Sequence, residues 1–344
     1  MTIIYFILVL SVTIFIHELG HFIFAKRAGI YVYEFCVGMG PRIFKFKRKN
    51  DETEYGIRLF PIGGFCSMAG ESVEIDEKVP ENRRLQSKTW LQKFLTVVAG
   101  VMFNFIFAII IFFIVGLVSG KPNNDPIIKD VSQDTPAYVS GLQSGDEIVK
   151  VNGVKVNTID RLMIEYQVGY GKTLELEVKR GSQTLKLNVE PVQVEEGYLY
   201  GFSLDNSIET GFGAAIKYAF GNFASLINQM AVIISYLFTG KLSLSSLSGP
   251  IGIYNIVGES AEAGLINVIY LIGYLSINVG FINLLPIPAF DGGRILFLII
   301  EKIIRKPIKP SVENMIHNIG FILLMILMIA ITYNDIVRFI IKWV

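Results

Sequence analysis

Long apolar segments constrain the fold of this chain more than any other feature. Three of them are long enough to cross a bilayer as helices of ~20 residues, and a shorter fourth forms the core of another such segment. Of the 344 residues, 52% are hydrophobic and only 18% are charged, which is too apolar for a typical soluble protein. The sequence therefore predicts a multi-pass α-helical membrane protein with about four transmembrane helices, at 2–25, 96–118, 265–285 and 319–332.

Clusters of Lys and Arg beside these segments predict the orientation of the chain. One cluster follows the first segment, a second precedes the next, and a third follows residue 301. By the positive-inside rule all three are expected to be cytoplasmic. Both termini and the long segment after residue 118 are then expected on the extracytoplasmic side. The net charge of +1 indicates no nucleic-acid partner.

The segment 212–240 has two interpretations. It is apolar on balance but carries Lys217, Asn222, Asn228 and Gln229. We expect an amphipathic helix that lies on or dips into the outer leaflet. A fifth transmembrane helix is the alternative.

Between the second and third apolar segments the composition becomes that of a small β-rich domain. Short β-rich runs alternate with turn signals, such as Asn152–Gly153 and 180–183. The run TPAYVSGLQSGDEIVKVNGVKV, residues 135–156, resembles bacterial PDZ domains, which bind an extended peptide as an added strand. A generic β spacer is the alternative. We expect three regions: 1–118 with two membrane helices and a cytoplasmic-side β-loop, 119–205 with a PDZ core at about 126–194, and 206–344 with the amphipathic helix and the last two membrane helices.

Three titratable residues interrupt the first apolar segment in the motif HELGH. His17 and His21 are four positions apart, so a helix places both imidazoles on one face, where they can bind one zinc ion. Glu18 lies between them, in position to exchange a proton with water at the metal. Two histidines in a helix-packing seam would be the structural alternative. Titratable groups at bilayer depth are costly and usually functional, which favours a metal site.

A third zinc ligand is expected from another polar residue within an apolar segment. Asp291 is such a residue. Pro286 and Pro288 precede it and prevent a regular helix, and Gly292 and Gly293 follow it. Broken backbone at membrane depth is tolerated where it lines a protein or water cavity. The break should bring the Asp291 carboxylate to the metal, although a simple helix N-cap role would also explain this residue.

Together these motifs resemble the site-2 protease family of intramembrane zinc metalloproteases, in its bacterial RseP- and RasP-like branch. The resemblance covers nearly the whole chain. Its motifs are HELGH, NLLPIPAFDGG (283–293), RLFPIGGFCSMAGE (58–71), which is similar to the membrane-associated β-loop of the family, and SGPIGI (248–253). Two positions depart from the family pattern. Phe290 replaces a usual Leu, and Val101 replaces a Pro that often precedes Asn104, the residue that the resemblance gives a supporting role.

The resemblance implies an endopeptidase that cleaves the transmembrane segment of a single-span protein. His17, His21 and Asp291 would bind Zn²⁺, with Glu18 as the general base. A helical substrate must unwind before cleavage, and the backbone of residues 57–68 could supply new hydrogen-bond partners, with Gly63, Gly64, Phe65 and Asn283 holding the substrate. The family suggests an anti-sigma factor or a remnant signal peptide, first trimmed by another protease.

The family resemblance also implies a place in a bacterial cell membrane, with the lipid bilayer as an obligatory partner. Two other classes of function are alternatives to the protease. A non-catalytic membrane PDZ scaffold would not need Glu18. A metal transporter would need several polar groups along a path, and the sequence offers one cluster.

Overall fold

A computed structural model describes residues 1–71, 78–195, 197–243, 247–306 and 308–341. The chain forms two compact units, one of Met1–Phe112 with Leu244–Val344 and one of Phe113–Ser243. Among the described residues the helices are α1 Thr2–Arg27, α2 Trp90–Ser119, α3 Pro136–Val139, α4 Ile159–Val168, α5 Phe212–Phe238, α6 Pro250–Glu262, α7 Leu265–Leu284, α8 Asp291–Ile304 and α9 Pro310–Ile341, with short 3₁₀ turns at Glu81–Arg83 and Leu85–Ser87.

Twelve β-strands lie in the described part of the chain. Two of them, in the first unit, are long, and the others are short strands of the second unit. They are β1 Val32–Lys47, β2 Glu54–Met68, β3 Lys121–Pro122, β4 Ile128–Val131, β5 Glu147–Val151, β6 Val154–Lys155, β7 Leu174–Arg180, β8 Gln183–Val189, β9 Val192–Val194, β10 Gly197–Leu199, β11 Phe202–Leu204 and β12 Ile208–Glu209.

Within the described residues, five helices are long and apolar enough to cross a membrane: α1, α2, α5, α7 and residues 311–337 of α9. The prediction of a multi-pass membrane protein is therefore confirmed. Each of the four predicted segments corresponds to one of these helices, with residue 285 one position past the end of α7. Helix α5 is the segment with two interpretations. Helix α9 extends well beyond the predicted 319–332, because it includes polar positions that hydropathy alone excludes.

The first unit is built on close contacts between its apolar helices. Val9 of α1 is buried against Val268 and Ile272 of α7. A Cβ on Gly273 of α7 would lie 2.9 Å from side-chain atoms of Ile111 and Phe112 in the second half of α2. Small residues at such positions let transmembrane helices approach closely, which compensates for the lack of a hydrophobic driving force in lipid.

Asp335 is a carboxylate in the largely apolar helix α9, and its hydrogen bond to another helix accounts for its presence there. Its Oδ2 accepts a hydrogen bond of 3.0 Å from the backbone N–H of Gly252, in the first turn of α6. The first N–H groups of a helix lack partners within the helix, and a carboxylate stabilises them. Pro250 at the first helical position and Gly249 before it belong to the predicted SGPIGI motif, which thus forms the start of α6.

Strands β1 and β2 form an antiparallel but irregular sheet beside α1. Residues 32–37 of β1 are in register with residues 64–68 at the end of β2, and residues 34–37 are also in register with 54–57 at its start. The first part of β1 therefore lies between the two ends of β2. Within the described residues, this leaves 64–68 as an edge of the sheet.

The second unit contains a four-stranded antiparallel sheet in the order β6-β5-β7-β8, with β4 paired to β11 beside it. The tight turns predicted at Asn152–Gly153 and 180–183 join β5 to β6 and β7 to β8. Asn152 and Gly153 both have positive φ, at 50° and 78°, as a type I′ hairpin turn requires. The core is formed by buried apolar residues from these strands and from α3 and α4, among them Ile128, Leu162 and Val178.

Helix α5 lies along α4 of the same unit. Tyr236 donates a hydrogen bond of 2.6 Å to the carboxylate of Glu165 and accepts one of 2.7 Å from Arg161. Eleven positions earlier, the Ser225 hydroxyl donates to Asp160. The contact between the two helices is therefore polar and extends over three turns of α5.

Candidate metal centre

Helix α1 places the two histidines of HELGH on one buried face. His17 and His21 are 7% and 8% exposed. Their Nε2 atoms lie 3.2 Å apart, with the rings nearly perpendicular. The spacing of four residues produces this pairing, because residues one helical turn apart are neighbours on the helix surface.

Asp291 approaches this pair from another part of the chain. Its Oδ2 lies 3.1 Å from Nε2 of His17 and 3.2 Å from Nε2 of His21. One ligand atom from each of the three residues lies within 4.8 Å of the other two. The structure thus brings together the three residues that the sequence analysis selected as metal ligands.

The break before α8 puts Asp291 in this position. Helix α7 ends at Leu284 and α8 begins at Asp291, so the carboxylate is in the first turn of a new helix. A Cβ on Gly292 would lie 2.0 Å from the carbonyl oxygen of Leu285. Only glycine allows the connecting segment to fold back this closely on the start of α8.

Helix α2 supports both imidazoles from behind. The Nδ1 atom of His21 lies 2.9 Å from the carbonyl oxygen of Thr96, and Nδ1 of His17 lies 3.4 Å from the side-chain amide of Asn104. A Cβ on Gly100 would lie only 2.4 Å from Nε2 of His21. Thr96, Gly100 and Asn104 are spaced by four and share one face of α2.

These contacts determine which ring nitrogens carry a proton and which present a lone pair to the other residues of the cluster. A carbonyl oxygen only accepts hydrogen bonds, so Nδ1 of His21 carries the proton and its Nε2 is left unprotonated. The Oδ1 atom of Asn104 is buried and has no hydrogen-bond partner among the described residues. Turning the amide by 180° lets this oxygen accept a hydrogen bond from Nδ1–H of His17. The buried oxygen then has a partner, and Nε2 of His17 is left unprotonated. Both Nε2 lone pairs and a carboxylate oxygen then converge, an arrangement that needs a cation between them.

Asp291 Oδ2 is likewise buried and makes no hydrogen bond to a described residue, despite its short distances to the two rings. Two imidazoles and one carboxylate are also the ligand set of many catalytic zinc sites, which keep a fourth position open. The donor set, its burial and its unpaired oxygen therefore fit zinc.

The Glu18 carboxylate contacts the β1–β2 sheet. Its Oε2 accepts a hydrogen bond of 3.0 Å from the backbone N–H of Cys66. A Cβ on Gly64 would lie 3.7 Å from Cγ of Glu18. The edge of β2 thus holds the glutamate beside the cluster, a contact that the spacing within HELGH does not reveal.

The predicted substrate-binding residues fall in two places. Gly63, Gly64 and Phe65 belong to the end of β2, with Gly63 at φ 91° and the Phe65 ring under the guanidinium of Arg58. Asn283 is the penultimate residue of α7 and is half buried. Of these residues, Gly64 lies beside Glu18, next to the Cys66 N–H that the carboxylate accepts from.

An ion pair close to the cluster was not foreseen. Arg294, one turn after Asp291, donates a hydrogen bond of 2.6 Å to Glu71, which follows β2. Both residues line a cavity of about 170 Å³ together with Lys93, Glu301 and Glu313. Charged residues on an otherwise apolar helix were the available signal at Arg294, but its partner is 223 positions away.

Apolar helices long enough to span a bilayer, around a cluster of two histidines and an aspartate, are features of a membrane-embedded metallopeptidase. Comparison with known proteins agrees with this class. The chain belongs to peptidase family M50, the site-2 protease family, whose model matches residues 5–327.

Relatives match almost the full length of the chain. A putative zinc metalloprotease of Clostridium perfringens is 38% identical over 98% of this chain and 99% of its own length. The zinc metalloprotease RasP of Bacillus licheniformis is 33% identical over 98% of this chain and 99% of its own length. For the regulator of sigma-W protease RasP of Bacillus subtilis the identity is 32%, over 98% of each chain.

The family resemblance seen in the motifs is therefore confirmed. The chain is a zinc-dependent endopeptidase of the intramembrane type that acts in regulated intramembrane proteolysis, and it uses Zn²⁺ as its cofactor. This finding favours the protease over the scaffold and transporter alternatives.

Proposed function

We propose that this chain hydrolyses a peptide bond within or beside the transmembrane helix of a single-span membrane protein, with zinc bound by His17, His21 and Asp291. The convergence of two unprotonated Nε2 atoms and a buried carboxylate oxygen carries the proposal. When bound, zinc supplies Lewis-acid activation of the scissile carbonyl and of the attacking water. The remaining steps are performed by side chains and backbone groups of the chain.

Glu18 is the proposed general base. It follows His17 directly, so it lies about 100° around the helix from that ligand and is free to exchange protons rather than bind the metal. It takes a proton from the attacking water and delivers it to the amine of the leaving peptide. The Cys66 N–H bond orients the carboxylate for both transfers.

Thr96 and Asn104 are proposed to orient the two histidine ligands. Hydrogen bonds from Nδ1 fix the tautomer and the ring orientation of a ligating imidazole, and loss of such a partner typically weakens metal binding by about 10–100-fold. Asn104 therefore keeps the supporting role expected from its position, although Val101 replaces the usual proline.

The edge of β2 at 64–68 is the proposed site for unwound substrate. The N–H of Cys66 points away from β1 towards Glu18, and N–H groups on the same side of a strand recur at every second residue. An extended substrate could add to this edge and so satisfy backbone groups that would cost several kcal/mol if unpaired in lipid. A Cβ on Gly64 would lie 2.8 Å from the carbonyl oxygen of Cys36, so glycine lets this end of β2 lie close to β1. Phe65 and Asn283 are proposed to contact the flanking substrate residues.

The second unit supports the assignment of a PDZ domain at 119–205, with its core at about 126–194. Strand β11 pairs with β4 on one side. Beside it a cavity of about 410 Å³ is lined by Phe202, Ser203 and Leu204 of that strand and by Leu162 and Tyr166 of α4. A groove between a strand and a helix is the form of site in which a PDZ domain binds an extended peptide.

The contacts of α5 support a topology of four transmembrane helices rather than five. Ser225 and Tyr236 are separated by about 16 Å along the helix at 1.5 Å per residue, and both bind charged residues of α4. That half of α5 lies along a domain with the composition of a water-soluble protein. The helix is therefore proposed not to cross the hydrocarbon core. With α1, α2, α7 and α9 spanning, the positive-inside rule puts both termini and the PDZ domain on the extracytoplasmic side of a bacterial cell membrane. The three regions 1–118, 119–205 and 206–344 keep their proposed roles in this topology.

The proposed substrates are anti-sigma factors or remnant signal peptides that another protease has already trimmed. The Bacillus subtilis relative is named as a regulator of sigma-W, which supports the first class. Trimming removes folded mass outside the membrane before the remaining helix reaches the zinc site.

Replacement of Glu18 by glutamine tests the proposal. The variant keeps the shape and the acceptor for the Cys66 N–H but lacks the base, so zinc content should match the parent. Cleavage of a co-expressed single-span substrate should fall by at least about 10²–10⁴-fold. His17→Phe is the control and should lose zinc as well as cleavage. Parental cleavage by Glu18→Gln would remove this residue from the mechanism.

A further inference from the structure

The segment between α7 and α8 holds an unusual backbone conformation close to the metal cluster. Ala289 has φ 84°, in the left-handed region that residues with a Cβ seldom adopt. It lies two positions before Asp291. Such a conformation persists only where surrounding contacts over-determine it.

Helix α9 supplies two of these contacts. The backbone N–H of Ala289 donates a hydrogen bond of 3.0 Å to Nδ1 of His317. Gly320, one turn later on the same face of α9, packs against Pro288, where a Cβ would lie 2.5 Å from the Cβ of the proline. The helix therefore clamps the segment immediately before the third proposed zinc ligand.

His317 has no other evident task. Its side chain is 14% exposed, and its ring lies 5.7 Å from that of Phe297 on α8. The Nε2 atom is buried without a hydrogen-bond partner in the described part of the chain, and the nearest carboxylate oxygen, of Glu313, is 4.0 Å away. Burial of a histidine in a membrane helix is costly, and the hydrogen bond from Ala289 offsets part of that cost.

We propose that His317 is a positioning residue of the zinc site. By accepting from Ala289 N–H it holds that residue in the left-handed conformation, which keeps Asp291 Oδ2 within 3.1–3.2 Å of both Nε2 atoms. The inference rests on the proposed ligand role of Asp291. Without the acceptor the segment relaxes towards negative φ, the carboxylate moves away, and zinc binding weakens by the roughly 10–100-fold typical of supporting contacts around metal ligands.

Zinc affinity of the full-length protein in detergent, measured by competition with a fluorescent chelator, tests this role. His317→Leu removes the acceptor and should weaken binding about 10–100-fold. His317→Asn places Oδ1 close to the position of Nδ1 and should keep affinity within about threefold of the parent, a smaller loss than the roughly 10–100-fold expected without the acceptor. Hydrogen exchange at the Ala289 amide should accelerate in the leucine variant and not in the asparagine variant.

Two further variants make the result specific. Ala289→Gly adopts positive φ without strain, so it should recover part of the affinity lost in His317→Leu. His317→Gln carries its acceptor one bond farther out, so its zinc affinity should resemble that of His317→Leu. It serves in place of His317→Leu if the leucine variant does not insert into the membrane. Parental zinc affinity in both His317→Leu and His317→Gln would overturn the inference. Asp291→Ala is the reference: if it does not weaken zinc binding, the proposed ligand set fails, whereas if it does and the His317 variants do not, only the positioning role fails.

Discussion

Gly100 gives the sharpest test of how tightly the metal centre is packed. A Cβ at this position would lie 2.4 Å from Nε2 of His21 and 2.7 Å from Cε1 of His17. An ordinary contact needs about 3.4 Å, so Gly100→Ala must displace the imidazoles by about 1 Å. Zn–N bonds are about 2.0–2.1 Å long, and a misplacement of about 1 Å at a reacting centre can cost ~10²-fold.

We expect Gly100→Ala to weaken zinc binding by about 10²-fold, which corresponds to about 2.7 kcal/mol. The helix itself should not suffer, because alanine in a helix interior is favoured over glycine by up to ~1 kcal/mol. Chelator competition gives the affinity, and the cleavage of a co-expressed single-span substrate gives the activity. Gly221→Ala in α5 is the matched control, since no described atom beyond the backbone of its own helix lies within 4 Å of its Cβ position. Zinc affinity of Gly100→Ala within twofold of the parent would refute the packing argument.

Three other perturbations address separate parts of the molecule. Cys66→Pro removes the N–H that orients Glu18 and should lower kcat while zinc content is retained, whereas Cys66→Ala keeps the N–H and should remain active; equal rates would contradict the orienting role. In the second unit, Arg180 and a backbone N–H hold the pKa of the buried Asp146 below its usual value. The ionised carboxylate therefore stabilises the folded unit above about pH 4, and this contribution is lost as pH falls through the lowered pKa. Asp146→Asn should therefore destabilise the unit by about 1.5–3 kcal/mol at pH 7, seen as faster hydrogen exchange in β5 and β7 of the intact protein, and should remove that acid dependence. Deletion of 126–194 should permit cleavage of untrimmed substrate if the domain excludes folded ectodomains, and loss of cleavage of trimmed substrate would instead make it a recruiter.

The chemistry of the candidate site could be predicted from local spacing. His17 and His21 are one turn apart on any helix, and an acid between them needs no tertiary information to be recognised. Asp291 could be selected because a charged residue beside prolines and glycines in an apolar segment has few structural explanations. The membrane class and the hairpin turn at Asn152–Gly153 likewise follow from short-range patterns.

The supports of that site depend on contacts between distant parts of the chain. Thr96 faces His21 across 75 positions, Cys66 reaches Glu18 across 48, and His317 reaches Ala289 across 28. Each of the three contacts uses a backbone atom on one side, and backbone atoms carry no residue-specific signal.

The sequence by itself therefore determined which residues could bind a metal ion and activate water, because this chemistry depends on side-chain type and on the helical period. Only the tertiary structure decided what holds them. Close helix approach at Gly20 and Gly100, where a Cβ would lie 2.4 Å from atoms of the facing helix, is a property of two surfaces together. The same holds for α5, whose apolar composition permits a membrane span and whose polar contacts with α4 exist only in the folded unit.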